Sequence, residues 1–141
     1  MTDDTATTRH VVEEYFAKMA AGDARGAFAL MSPEVRYSVI GSTPISTEAT
    51  GVREVVDKLI RPFTSRLEGG AIQLILDEVI AEGSRAVALV HSEAMGRAGL
   101  PYRNVYAMVF LVGDGHIEEL VEYLDTALVE TAVFGKKLVE A

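Results

Sequence analysis

Glu122 is the residue of this chain best placed by type to move a proton. In the run of residues 117–124, Leu120, Glu122 and Leu124 share one face of a period-two pattern, and Ile117, Glu119, Val121 and Tyr123 share the other. A carboxylate among so many apolar neighbours must lie at an edge, be paired, or do chemistry. His91 is the histidine that falls inside an apolar run, and an imidazole with an unperturbed pKa of about 6.5 exchanges protons near neutrality. Tyr15, Tyr37, Tyr106 and Asn104 supply hydrogen-bonding groups from otherwise apolar segments. The three histidines are far apart and none stands at i, i+2 or i, i+4 from another, so no metal site is expected. The chain has no cysteine, which excludes a thiol nucleophile, a disulfide and a thiolate metal site. It also lacks a glycine-rich phosphate loop and a Gly-x-Ser-x-Gly elbow.

These residues need a scaffold. Tyr15 lies on a stripe with Val12, Phe16 and Met19 at i, i+3, i+4, i+7, which predicts a first helix capped by Thr7 or Thr8, with residues 1–6 as a frayed tail. Gly22 ends that helix, and Asp23 caps a second that buries Ala24, Ala27, Phe28 and Met31. A short strand over residues 35–40 carries Tyr37, and the polar stretch 41–50 is expected to be a lid or pocket rim. A third helix opens at Thr50-Gly51 with Val52, Val55, Val56, Leu59 and Ile60 inward. Pro62 kinks or ends it, and Phe63 continues the stripe. Residues 71–81 and 85–95 follow as strands. Then comes a hairpin turning at Asp114-Gly115, whose first strand places Asn104, Tyr106, Met108 and Phe110 on one face. Asp125 is expected to cap a last short helix, residues 126–134.

Helices segregated from an antiparallel meander mean one α+β domain over residues 1–141, a curved sheet wrapped around N-terminal helices to leave a conical cavity. Such a cavity suits a small, mostly apolar molecule. A net charge of −8 argues against nucleic acid or an anionic membrane as a partner. No apolar run reaches transmembrane length and the amino terminus has no secretion pattern, so a cytoplasmic protein is expected.

Three segments carry a resemblance: Val11 to Tyr15 with Ala21-Gly22-Asp23, then Gly41-Ser42-Thr43-Pro44, then Tyr102-x-Asn104-x-Tyr106 through Asp114-Gly115-His116-Ile117 to Glu122-Tyr123-x-Asp125-Thr126. In these the chain resembles the nuclear transport factor 2-like superfamily, in its SnoaL-like and ketosteroid isomerase-like branch. That fold hosts isomerases, epoxide hydrolases, polyketide cyclases and non-catalytic subunits. By resemblance, Tyr15 matches the oxyanion-hole tyrosine of ketosteroid isomerases. Their general base falls on Ser38 or Val39 and their second oxyanion-hole acid on Met108, which disfavours that mechanism. Limonene-epoxide hydrolases resemble the chain differently: their water-holding tyrosine corresponds to Tyr37, their base to Glu122, and their Arg-x-Asp pair to Leu89 and His91.

The resemblance points the face carrying Leu89 and His91 into the cavity. It therefore implies a catalytic set of Glu122 as base, His91 as acid and Tyr15 as donor to developing charge, with no cofactor. Tyr37, Asn104, Tyr106, Met108, Leu89 and Phe63 would contact substrate. The same residues also fit a satisfied structural pair in a carrier or accessory protein, with Asn104 bonded to loop backbone. Val105, Ala107, Val109, Leu111, Val121 and Tyr123, with Ala86, Ala88 and Val90, then form an outer apolar face that no helix covers. A homodimer through that face is expected.

Overall fold

The computed structural model describes residues 3–141. The chain runs α1 (Thr5–Ala20), α2 (Ala24–Ala29), β1 (Met31–Val39), β2 (Glu48–Thr50) and α3 (Val52–Glu54). It continues through a π-helical segment (Val55–Ile60) into α4 (Arg61–Thr64), making one helical rod over residues 52–64. β3 (Gln73–Glu82), β4 (Arg85–Met95), β5 (Pro101–Tyr102), β6 (Val105–Gly113) and β7 (His116–Leu124) follow. α5 (Thr126–Leu128) then leads into a second π-turn (Val129–Val133). The sheet order is β2-β1-β7-β6-β4-β3, with β5 against β4. Among the described residues only β1 and β7 pair in parallel. This is the expected α+β architecture: a curled sheet with the N-terminal helices against its inner face. No helix among the described residues is long and apolar enough to cross a membrane.

Several boundaries differ from expectation, each for a local reason. α1 begins at Thr5, so Thr5 and Ala6 are helical, while Met1 and Thr2 of the expected tail lie outside the described residues. Thr8 is no cap; it is buried, and its hydroxyl donates to the Gly83 carbonyl at 2.7 Å, tying α1 to the β3–β4 turn. Met31 enters the core from β1 rather than from a helix, because α2 stops at Ala29. Part of the expected loop 41–50 pairs with β1 as β2. The rod 52–64 widens just before Pro62, and the Arg61 N–H reaches back to Val56 O, five residues earlier. Pro62 has no N–H to continue the ordinary ladder. Asp125 caps α5 as expected, its carboxylate accepting from the Leu128 N–H at 3.2 Å.

The hairpin turns at Asp114 and Gly115, both at positive φ (52° and 73°), the conformation that favours these residue types in a two-residue turn. A register shift between Leu111 and Val112 leaves Glu118 unopposed, so Ile117 is buried on the same side as Leu120 instead of alternating with it. The inner face of the sheet carries Tyr37, Ala86, Ala88, Tyr106, Met108, Phe110 and Leu120. α1 lies against it through Val11, Val12, Tyr15 and Phe16. Tyr15 and Phe16 meet Phe110 edge to face, with ring centroids 5.9 and 6.0 Å away. Each such buried side chain contributes about 1.5–3 kcal/mol.

Candidate functional site

Beside α1 the sheet leaves a cavity of about 400 Å³ between β1, β6, β7 and the rod 52–64. Leu59, Ile60, Phe63 and Thr64 form its helical wall, Ile45 comes from the loop after β1, and Ile72 and Leu74 from the start of β3. Glu122 is the charged side chain in this lining. Strand pairing puts it there: Glu122 faces Met108 across β6 and Val39 across β1, and direct partners project to the same side.

The Tyr37 hydroxyl donates to Glu122 Oε1 at 2.7 Å. Burial pushes the Glu122 carboxyl up to about 7, and the Tyr37 hydrogen bond, which favours the ionised form, opposes that shift. Tyr15 reaches the cavity from α1. Burial, and then the nearby Glu122 charge, raise its phenol well above the ordinary tyrosine range. Its hydroxyl makes no hydrogen bond among the described residues, so it is a spare donor beside a carboxylate that titrates near neutrality. Burial raises Tyr37 and Tyr106 far above the usual value and brings Tyr102 to about 12. All four phenols are neutral donors in the physiological range.

The expected site residues divide. Glu122, Tyr15, Tyr37, Tyr106, Met108 and Phe63 line the cavity together. His91 and Leu89 do not. Ala88 pairs with Met108 and Val90 with Tyr106, so the inner face of β4 is Ala86, Ala88, Val90 and Ser92, and the opposite parity points outward. His91 Nδ1 lies 2.7 Å from Asp77 Oδ2 on the outer surface, and Leu89 is exposed beside it. The expected His91–Glu122 pair is therefore broken by the whole thickness of the sheet, and Ala86, Ala88 and Val90 leave the outer face for the core.

Asn104 is buried but belongs to the scaffold. Its Nδ2 donates to Tyr102 Oη at 2.9 Å and to the Asp125 carbonyl at 3.0 Å. Its Oδ1 accepts from the N–H groups of Val105 (2.8 Å) and Asp125 (3.2 Å). The Tyr106 hydroxyl lies 3.0 Å from both Tyr102 Oη and Ser92 Oγ, which extends the knot beneath the cavity. Tyr102, packed edge to face on Phe63 at 5.5 Å, is a lining residue that the sequence reading missed. Its parity with Asn104 and Tyr106 was the available signal.

Tyr37→Phe tests the electrostatics. Without the phenol the carboxylate loses its stabilising donor, so the Glu122 pKa should rise further above 7, by about one unit for a hydrogen bond to a charged group. Carboxyl-carbon NMR titration of the two proteins reads this directly; an unchanged or lowered midpoint would contradict it.

A family profile described as SnoaL-like domain matches residues 12–120. No curated protein matches the chain in sequence. Among solved structures, a nuclear transport factor 2-like protein from Burkholderia thailandensis is similar, with 20% identity over 94% of this chain and 98% of its own and a TM-score of 0.81. TerC, crystallised with polyporic acid, has 18% identity over 91% and 98% of the two chains and a TM-score of 0.79. A candidate SnoaL-like polyketide cyclase from Jannaschia sp. has 13% identity over 97% and 98%, with a TM-score of 0.76. At these identities the likeness establishes the fold, and the profile match establishes the family: the chain belongs to the SnoaL-like domain family, with the nuclear transport factor 2-like fold.

Proposed function

We propose that the chain is a cofactor-free acid–base enzyme that moves a proton on a small apolar substrate. The observation that carries this reading is a lone carboxylate set in an apolar cavity, which pushes it up to about 7, beside a tyrosine hydroxyl with no partner among the described residues. A base tuned to the working pH takes a proton most effectively from a weak carbon acid. Glu122 Oε2 would accept the proton of a C–H next to a carbonyl. The C–H electron pair would pass into the enolate, and the Tyr15 O–H would hold the developing oxyanion. Return of the proton to another carbon is isomerisation; attack of the enolate carbon on a second carbonyl, whose π electrons pass to its oxygen and whose alkoxide takes the proton back from Glu122, is cyclisation. Epoxide opening is less well served, because the residue expected to be its acid, His91, is outside. The Jannaschia relative, described as a candidate polyketide cyclase, and TerC, crystallised with polyporic acid, are in keeping with a small cyclic substrate.

The test is deuterium exchange. A panel of apolar ketones and diketones is incubated in D₂O with the protein and with Glu122→Gln, and label next to the carbonyl is followed by NMR. Exchange by the native chain that the variant loses while still binding the ketone supports the enzyme. Equal binding without exchange in either protein assigns the cavity to a carrier instead.

The same reading includes a homodimer. On the outer sheet face Val105 is 67% exposed, Ile80 54% and Tyr123 49%, with Val87, Ala107, Val109, Leu111 and Val121 half-buried between them. An apolar strip of this kind on a soluble domain favours a second copy. The double substitution Val105→Lys and Tyr123→Lys should convert a dimer to a folded monomer in sedimentation velocity, since both side chains are exposed. A native chain that sediments as a monomer at micromolar concentration would defeat the dimer.

A further inference from the structure

The cavity has a charge character that the proton-transfer reading leaves unused. Among the described residues, every titratable group that faces Glu122 is a phenol: Tyr37 from β1, Tyr15 from α1, Tyr102 from β5 and Tyr106 from β6. The rod 52–64 and the residues before β3 add only apolar side chains, Thr64 and backbone. No lysine, arginine, histidine or second carboxylate lines the cavity among the described residues. Glu122 Oε1 is taken by Tyr37 and Oε2 has no partner among those residues. A single carboxylate with one free oxygen is thus set among six aromatic rings, those four tyrosines with Phe28 and Phe63.

We propose that the preferred ligands of this cavity are lipophilic amines, each held as its ammonium against Glu122 Oε2 among the aromatic side chains. The inference rests on the reading of the cavity as a site for small apolar molecules and adds the charge they carry. A cation restores to the carboxylate the stabilisation that burial removes, and aromatic faces attract a cation through their quadrupoles. An anionic ligand meets only the carboxylate and the negative faces of the rings. A neutral ligand offers Oε2 at most an uncharged hydrogen-bond donor, weaker than an ammonium. An amine without an acidic C–H next to a carbonyl binds here without turning over.

The pH dependence is distinctive. The ammonium pairs with ionised Glu122, so below about 7 binding must expel a proton, and affinity falls about tenfold for each pH unit. Between about 7 and the amine's own pKa, about 10, affinity is level.

Calorimetric titration of the intact chain with phenylbutylamine, phenylbutanol and phenylbutyrate, over about pH 5.5 to 8.5, decides the matter. The amine should bind at least about tenfold more tightly than the alcohol near pH 8, and the acid most weakly. Glu122→Gln should abolish both the preference for the amine and its pH slope. Alcohol binding equal to or tighter than amine binding, or amine binding that Glu122→Gln does not weaken, overturns the inference and leaves the proton-transfer reading standing. Binding of none of the three overturns both.

Discussion

Glu122→Gln should lower turnover roughly a hundred- to ten-thousand-fold and make the protein more stable above neutral pH. The first effect follows from chemistry: an amide cannot accept a proton from carbon, yet it has the carboxylate's shape and still takes the Tyr37 hydrogen bond. The second follows from linkage. The carboxyl titrates at about 7 in the folded chain against an ordinary 4.5, so the folded state holds this proton more tightly than the unfolded state does. The stability it contributes is fully present below 4.5 and is lost as pH rises through about 7. It amounts to at most about 3 kcal/mol between the two limits, because the Glu122 residue is only part-buried. Glutamine is uncharged throughout, so the variant should show no such decline. Urea midpoints measured from about pH 4 to pH 8 should converge at the acid end and separate at the basic end, with the variant above the native chain. A gap between native and variant midpoints no larger at pH 8 than at pH 4 would mean that Glu122 is solvated, and the case for a tuned base would go with it. The pairing of lost turnover with gained stability is the signature of a group buried for chemistry rather than for folding.

Why the sequence located Glu122 but misplaced His91 has a physical answer. On β6 the alternation of Tyr106, Met108 and Phe110 against Val105, Ala107 and Val109 is anchored by size: large rings and Met108 fill the layer beneath α1. Glu122 inherits its side from its cross-strand partner Met108. β4 offers no such contrast. Both of its faces are apolar, because one is in the core and the other belongs to the uncovered outer strip, so period two cannot choose between them. The discriminating detail is volume. Ala86 and Ala88 lie opposite Phe110 and Met108, where small residues make room for the rings, and Ser92 supplies a buried hydroxyl to Tyr106 and to the Asn104 N–H. The bulge at Glu118 was equally silent, because an unopposed residue leaves no trace in the alternation until its partner strand is known. The fold was more legible than the site because helices and strands are written in local periodicity. The cavity depends on which of two similar faces turns inward.

Asn104→Ala should destabilise the protein by roughly 3 kcal/mol or more without weakening ligand binding by the molecules that remain folded. The sequence offered two roles for this residue, substrate contact and loop anchor, and they predict opposite results. Its side chain makes four hydrogen bonds, two donated by Nδ2 and two accepted by Oδ1, and it is not among the groups that line the cavity. Alanine leaves the Val105 N–H, both backbone groups of Asp125 and the Tyr102 hydroxyl short of a partner, in bonds that are buried at Tyr102 and part-buried at Val105 and Asp125. Asp125 caps α5, whose continuation buries Val129, Ala132 and Val133, so the first consequence should be faster amide exchange over residues 126–133. Asn104→Asp is the sharper variant. It retains the acceptor for the two N–H groups but turns an oxygen toward the Asp125 carbonyl, so it should be destabilised as well, although its shape is unchanged. Denaturant unfolding and a ligand titration on the same samples separate the roles. Full stability with lost affinity would make Asn104 a ligand contact. Lost stability with retained affinity makes it the knot that holds Tyr102 and Tyr106 beneath the cavity and the last helix against the sheet.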